Sequence, residues 1–155
     1  MSSRRIVVTG LGMVSPLGNT VDDSWNALIA GKSGIDKIES FDSEGFATQI
    51  SGQIKDFDIT QYDITVKDAR KIDVFIQYAL AAAYQAVRDA KLDDNSVSAA
   101  IDANRIGVAV GSGIGGISTI EKTCLEIDKK GPRRVSPFFI PATVVNMAAG
   151  NIAIK

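Results

Sequence analysis

Lys67, Arg70 and Lys71 stand at i, i+3 and i+4 spacing, which gathers three cations on one side of a helix. Such a triplet is either an ordinary solvated face or a patch that steers and docks an anionic partner. Gly111, Gly113 and Gly116 spell G-x-G-x-x-G between a β-branched run and an amphipathic segment, the local setting of a dinucleotide-binding turn. That fingerprint also needs a second strand ending in an acid about 20 residues on. Helix and then Gly131-Pro-Arg-Arg134 stand there instead, so the competing reading is a tight turn that backbone or an acyl chain approaches closely. Gly10-Leu-Gly-Met-Val-Ser15 is a poorer match, with Ser15 in place of the third glycine. Cys124 falls mid-helix on the stripe Ile117, Ile120, Cys124, Ile127 and reads as a buried structural thiol rather than a nucleophile. Phe138 and Phe139, between Pro137 and Pro141, put two rings on a stiff turn, as core or as an interface anchor.

What is missing narrows the chemistry further. The 155 residues contain no histidine, so no imidazole base, Ser–His–Asp triad or His-ligated metal can be built from them. One cysteine allows neither an intrachain disulfide nor a Cys-based zinc site, and a lone thiol fits a reducing cytoplasm. With 17 Lys+Arg against 18 Asp+Glu, the net charge of −1 gives no global cationic field for nucleic acid or an anionic membrane. The apolar stretch after Arg5 is too short for a signal peptide, and no run nears the ~18 apolar residues of a membrane span. At 45% hydrophobic and 23% charged, the chain reads as one globular domain.

The elements that position these residues follow from periodicity and caps. Ile6-Val-Val-Thr9 and Ile106-Gly-Val-Ala-Val110 read as buried strands, each closed by glycine. Thr20 with Asp23 is a capping box, followed by Val21, Trp25, Leu28 and Ile29 at helical spacing and by Gly31 as a stop. Residues 32–64 are mixed, with a modest strand over 49–54. Thr65 with Asp68 caps a long helix over 66–90, whose stripe is Ile72, Phe75, Ile76, Ala79, Leu80, Ala83, Val87 and Ala90. Its second half is apolar nearly all round, which requires burial on two faces. Residues 91–104 read as polar turns, 117–130 as a helix, 131–137 as a loop, and Ala142 onward as a last helix. Apolar periodicity runs on to Lys155 without a cap, so the chain is expected to be the front part of something longer.

Several stretches in order resemble the β-ketoacyl-[acyl-carrier-protein] synthases, most of all synthase II. They are Arg5-Ile-Val-Val-Thr-Gly-Leu-Gly-Met-Val-Ser-Pro-Leu-Gly-Asn19, Trp25–Ile35, Arg70–Tyr78, Gly111-Ser-Gly-Ile-Gly-Gly116 and Ser136–Met147. The resemblance covers essentially the whole chain. It implies a layered α/β, thiolase-like fold of which 1–155 is an incomplete N-terminal portion, truncated before the family's nucleophile region. It implies a decarboxylative Claisen condensation in fatty acid elongation, carried out by a cysteine and two histidines that lie beyond Lys155, so these residues hold no catalytic group. By the same resemblance Lys67, Arg70 and Lys71 match a docking face for acyl carrier protein. Ile114 matches a residue that lines and gates the acyl pocket, and Phe139 an aromatic that closes the partner's pocket across a homodimer. No metal or cofactor is implied beyond the phosphopantetheine arm on the carrier. The alternatives are a non-catalytic split module that keeps the dimer and carrier surfaces and, more distantly, a dinucleotide-binding domain.

Overall fold

A computed structural model describes residues 4–94 and 99–155. Of the polar segment expected over 91–104, residues 95–98 lie outside the described residues; the remainder is turns and a 3₁₀ turn at Ala103–Arg105. Six α-helices and one small sheet make up the regular structure of the described residues. They are α1 (Val21–Ile29), α2 (Val66–Ala69), α3 (Val74–Asp89), α4 (Ile117–Lys130), α5 (Phe139–Thr143) and α6 (Met147–Ile154). The antiparallel pair β1 (Ile35–Lys37) and β2 (Ile50–Gly52) places Asp36 opposite Ser51. β2 falls within the strand expected over 49–54; β1 carried no alternation to announce it.

Two helix starts form where their capping boxes place them. Thr20 Oγ1 accepts from Asp23 N–H at 3.1 Å and donates to the Asp23 carboxylate at 2.7 Å. Thr65 and Asp68 repeat the arrangement at 3.1 and 2.8 Å. α1 ends at Ala30, and Gly31 follows with φ +67°, a left-handed turn that glycine adopts without strain.

The long helix expected over 66–90 is broken. Asp73 adopts an extended conformation (φ −70°, ψ 160°) and its side chain accepts from Phe75 N–H, so it caps a new helix instead of continuing the old one. The apolar stripe passes through the break, which is why periodicity alone joined the two pieces. α3 is packed on two faces, as its composition requires. One face meets the 3₁₀ turn Ile59–Tyr62 and α6, and the core gathers there: Ile59, Ile64, Ile76, Leu80 and Ala81 are buried, with Phe57, Tyr62 and Met147 packed against them. Across the other face runs Gly10–Met13. A Cβ on Gly12 would overlap the Ala82 carbonyl oxygen, and one on Gly10 would lie 2.7 Å from Ala90 N. This strap is pinned by side chains. The Gln85 amide accepts from Met13 N–H (3.4 Å) and donates to the carbonyls of Met13 (3.1 Å) and Asn19 (2.9 Å), while Asp89 accepts from Leu11 N–H (2.8 Å).

Neither expected buried strand is present. Residues 6–9 and 106–110 form no strand, and Ile6 and Val8 are 91% and 79% exposed. A β-branched run prefers extended backbone, but a strand exists only where a partner completes its ladder. Residues 4–9 and 107–110 make no backbone hydrogen bond among the described residues. The stripe of α1 also departs from expectation. Trp25, Leu28 and Ile29 are exposed, and the buried residues of that helix are Ser24 and Ala27. The last helix is two: α5 begins at Phe139, earlier than expected, and α6 starts after an extended Val144.

Candidate functional site

The three cations lie on α2 and the turn that follows it, not on the first turns of a long helix. Lys67 is in α2, Arg70 caps its C-terminal end, and Lys71 precedes the Asp73 break. Arg70 sits at the C-terminal end, where the helix dipole favours a cation, while Lys67 is the second residue of this four-residue helix, whose dipole is too short to oppose it much. The three are not equivalent. Lys71 Nζ pairs with Asp68 at 2.7 Å and lies 5.7 Å from the centre of the Phe138 ring. Lys67 and Arg70 are exposed and form no ion pair among the described residues. The hydrogen bond from Lys71 holds the Asp68 carboxyl below its ordinary value, aided by the Thr65 hydroxyl and by the charges of Lys71 and Lys155. The face thus carries one neutralised and two available cations.

Beside it, a small cavity of about 100 Å³ is lined by Arg70, Lys71, Thr119, Thr123, Phe138 and Phe139, among others. It brings the cationic turn together with Phe139, which is half-buried at the start of α5. Ile114 is not part of it. That residue stands on the Gly111–Gly116 turn, 68% exposed, with free space around Gly111 and Gly113. The far end of the turn is tight. Gly115 has φ +77° and Gly116 N–H donates to the Thr143 carbonyl at 3.0 Å.

The glycine turn is not arranged for a phosphate. A phosphate at a helix N-terminus needs unpaired N–H groups. At α4 the Thr119 N–H already donates to the Asp73 carboxylate at 3.1 Å, and a fixed negative charge occupies the place an anion would take. Asp73 was missed by sequence reasoning, which passed over it inside an apolar stripe. The signal was there: an Asp directly before Val74-Phe-Ile, the composition of an N-cap.

Cys124 is exposed, which corrects the expectation of a buried thiol. The half-buried residues of α4 are Thr119, Thr123 and Glu126, at i, i+4 and i+7, and this helix packs on α5 and the 131–134 turn. Ile117, Ile120, Cys124 and Ile127 face outward together. Among the described residues no group of acidic, histidine or cysteine side chains is arranged to hold a metal ion, and no helix is long and apolar enough to cross a membrane.

The family described as "Beta-ketoacyl synthase, N-terminal domain" matches residues 3–155. The 3-oxoacyl-[acyl-carrier-protein] synthase 2 of Vibrio cholerae is 56% identical over 154 residues, covering 99% of this chain and 36% of that protein. The ishigamide ketosynthase/chain length factor superposes with a TM-score of 0.77 at 27% identity, over 99% of this chain and 37% of its own. A type II PKS acyl-carrier protein in complex with its ketosynthase, bound to the hexaketide, gives a TM-score of 0.74 at 28% identity, over 96% of this chain and 38% of that one. The chain spans little more than a third of the length of the relatives it matches.

Proposed function

The chain belongs to the β-ketoacyl synthase family, with the thiolase-like fold of the ketosynthases it superposes on, and on that premise we propose that it is the N-terminal portion of a 3-oxoacyl-[acyl-carrier-protein] synthase. The complete enzyme joins an acyl thioester to malonyl-carrier by decarboxylative Claisen condensation, an acyl transfer step of fatty acid elongation. The acyl chain passes to a cysteine thiolate. Malonyl-carrier then loses carbon dioxide, and the carbanion attacks the thioester carbonyl, releasing the thiolate. None of the reacting groups belongs to residues 1–155, which hold no histidine and one exposed cysteine on the outer face of α4. These residues supply surfaces and scaffold.

The observation that carries the reading is identity of 56% sustained over 154 residues with a synthase 2, not confined to one motif. The geometry agrees with the parts such an enzyme needs. Lys67 and Arg70 are exposed cations without an internal ion pair, suited to steer an acidic carrier protein. The outward stripe of α4 is suited to a second copy in a homodimer, within which Phe139 reaches toward the partner's pocket and Ile114 lines its own. The enzyme works in the cytoplasm and needs no cofactor of its own, because the carrier brings the phosphopantetheine arm.

Incubating the complete protein with acyl-carrier and malonyl-carrier tests this. Equimolar 3-oxoacyl-carrier and carbon dioxide are the expected products. A folded protein that only hydrolyses the thioester, or turns over neither substrate, overturns the assignment.

A further inference from the structure

We propose that Asp73 is a positioning residue for the glycine turn: its carboxylate caps two helices at once and, through Thr119, fixes where Ile114 stands. The proposal deepens the functional reading above and rests on it for the role of Ile114 in the acyl pocket.

α4 starts from Gly116, and that position cannot carry a capping side chain. A Cβ there would lie 2.8 Å from Thr143 Cα, 2.9 Å from the Ala142 carbonyl oxygen and 3.1 Å from Asp73 Oδ2. The helix accordingly has no side-chain cap of its own. A capping side chain normally accepts from the N–H of the second or third helical residue. The third residue of α4 is Thr119, and its N–H is taken by Asp73 Oδ2, from 46 residues earlier in the chain. The Thr119 hydroxyl donates to the same oxygen. Asp73 Oδ1 meanwhile accepts from Phe75 N–H and caps α3.

One carboxylate therefore closes the N-termini of two helices. It is 6% exposed and has no cationic partner among the described residues. Its charge is met by the positive ends of both helices and by three donors, so its position is set from two sides. The consequence falls on the turn. Gly115 and Gly116 are wedged against Thr143 and tied to it by the Gly116 N–H bond, whereas Gly111 and Gly113 have free space around them and the Ser112 hydroxyl between them accepts from Gly115 N–H at 3.2 Å. The turn has one anchored end and one loose end, and Ile114 is at the junction. The anchor consists of Asp73–Thr119 on one side and Thr143 on the other. Releasing the first lets the start of α4 rotate about the second, and Ile114 moves with it.

Thr119→Val in the complete enzyme tests the proposal. It removes the hydroxyl donor at nearly constant volume and leaves the Thr119 N–H bond to Asp73 in place, so the protein stays folded. Thr119→Ser keeps the hydroxyl and serves as the rescue. Two readouts apply: amide hydrogen exchange over 111–119, and the ratio of kcat/KM for a long against a short acyl-carrier substrate. In Thr119→Val, exchange over 111–119 is expected to rise at least about threefold while exchange in the rest of α4 stays near the parent's, and the ratio is expected to shift at least about threefold. Thr119→Ser is expected to match the parent in both. A general loss of stability lowers both activities together and does not change their ratio. Unchanged exchange over 111–119, or an unchanged ratio, overturns the proposal. Should the parent show no condensation at all, the functional reading fails while the exchange measurement still decides whether Asp73 anchors the turn.

Discussion

Substituting Gly12 by Ala in the complete protein is expected to pry the Gly10–Met13 strap off α3. The added Cβ overlaps the Ala82 carbonyl oxygen and lies 2.8 Å from Ala86 N, and both obstacles are helix backbone that cannot turn aside. The strap must lift. Overpacking of this kind costs about 1–3 kcal/mol. Lifting also stretches the two Met13–Gln85 bonds and the Leu11–Asp89 bond, each worth about 1 kcal/mol or less because they are solvent-accessible. The total expected lies between about 1 and 6 kcal/mol. Gln85→Ala removes the amide's three bonds without a clash and is expected to cost about 1–2 kcal/mol. Because both changes undo the same attachment, their costs should overlap by about 1 kcal/mol in the double mutant. Urea unfolding of parent, both single variants and the double variant, followed by far-ultraviolet circular dichroism, measures all three quantities. A Gly12→Ala variant as stable as the parent, or strictly additive costs, would refute the strap.

Replacing Lys67 and Arg70 by Glu should leave stability nearly unchanged and slow association with acyl carrier protein, with the loss fading as salt shortens the screening length to about 8–10 Å; stopped-flow binding across an ionic-strength series checks it, and a salt-independent loss would point to a damaged fold. Turnover of a small acyl thioester without carrier should be the same in that variant and the parent. The Asp68 carboxyl is expected to titrate below its ordinary value of 3.8 because Lys71 donates to it, and Lys71→Met should raise it, as read by carbonyl-carbon NMR. Since the folded pKa is the lower one, the stability this group contributes is complete above the unfolded pKa and is lost as pH falls through the folded one. Lys91 holds a left-handed conformation (φ 56°) just past the end of α3, so Lys91→Gly should raise stability by about 0.5–1 kcal/mol in the same urea experiment.

The starts of α1 and α2 were legible because capping is local: Thr20 with Asp23 and Thr65 with Asp68 settle their geometry within four residues. The two-sided packing of α3 was legible from its composition for a similar reason, since an all-round apolar helix has few other places to be. Residues 6–9 and 106–110 were not, because the preference of Ile and Val for extended backbone says nothing about whether a partner strand is at hand. The stripes on α1 and α4 show the same gap. Trp25, Leu28, Ile117 and Ile120 stand at helical spacing, yet spacing identifies an apolar face and not what covers it. In the site, the cations and the glycine turn were found by type and spacing. Their unequal states were not, because spacing does not say which of the three cations Asp68 pairs with, and the Phe138 ring that lies against Lys71 is distant in sequence. The local cap that Asp73 makes on α3 was masked by the apolar stripe around it, and its second set of partners, 46 residues away on Thr119, left no local signal.

Most directly, the central claim is tested by a chimera in which residues 1–155 replace the matching N-terminal segment of the Vibrio cholerae synthase 2, to which they are 56% identical. The measurement is its rate of 3-oxoacyl-carrier formation from acyl-carrier and malonyl-carrier, beside the parent synthase and residues 1–155 alone. If these residues supply the scaffold, the docking face and the pocket turn but none of the reacting groups, the chimera condenses within about tenfold of the parent and the 155 residues alone do nothing, having no nucleophile and base to form an acyl-enzyme. A folded chimera with no condensing activity, or condensation by residues 1–155 alone, would contradict the account.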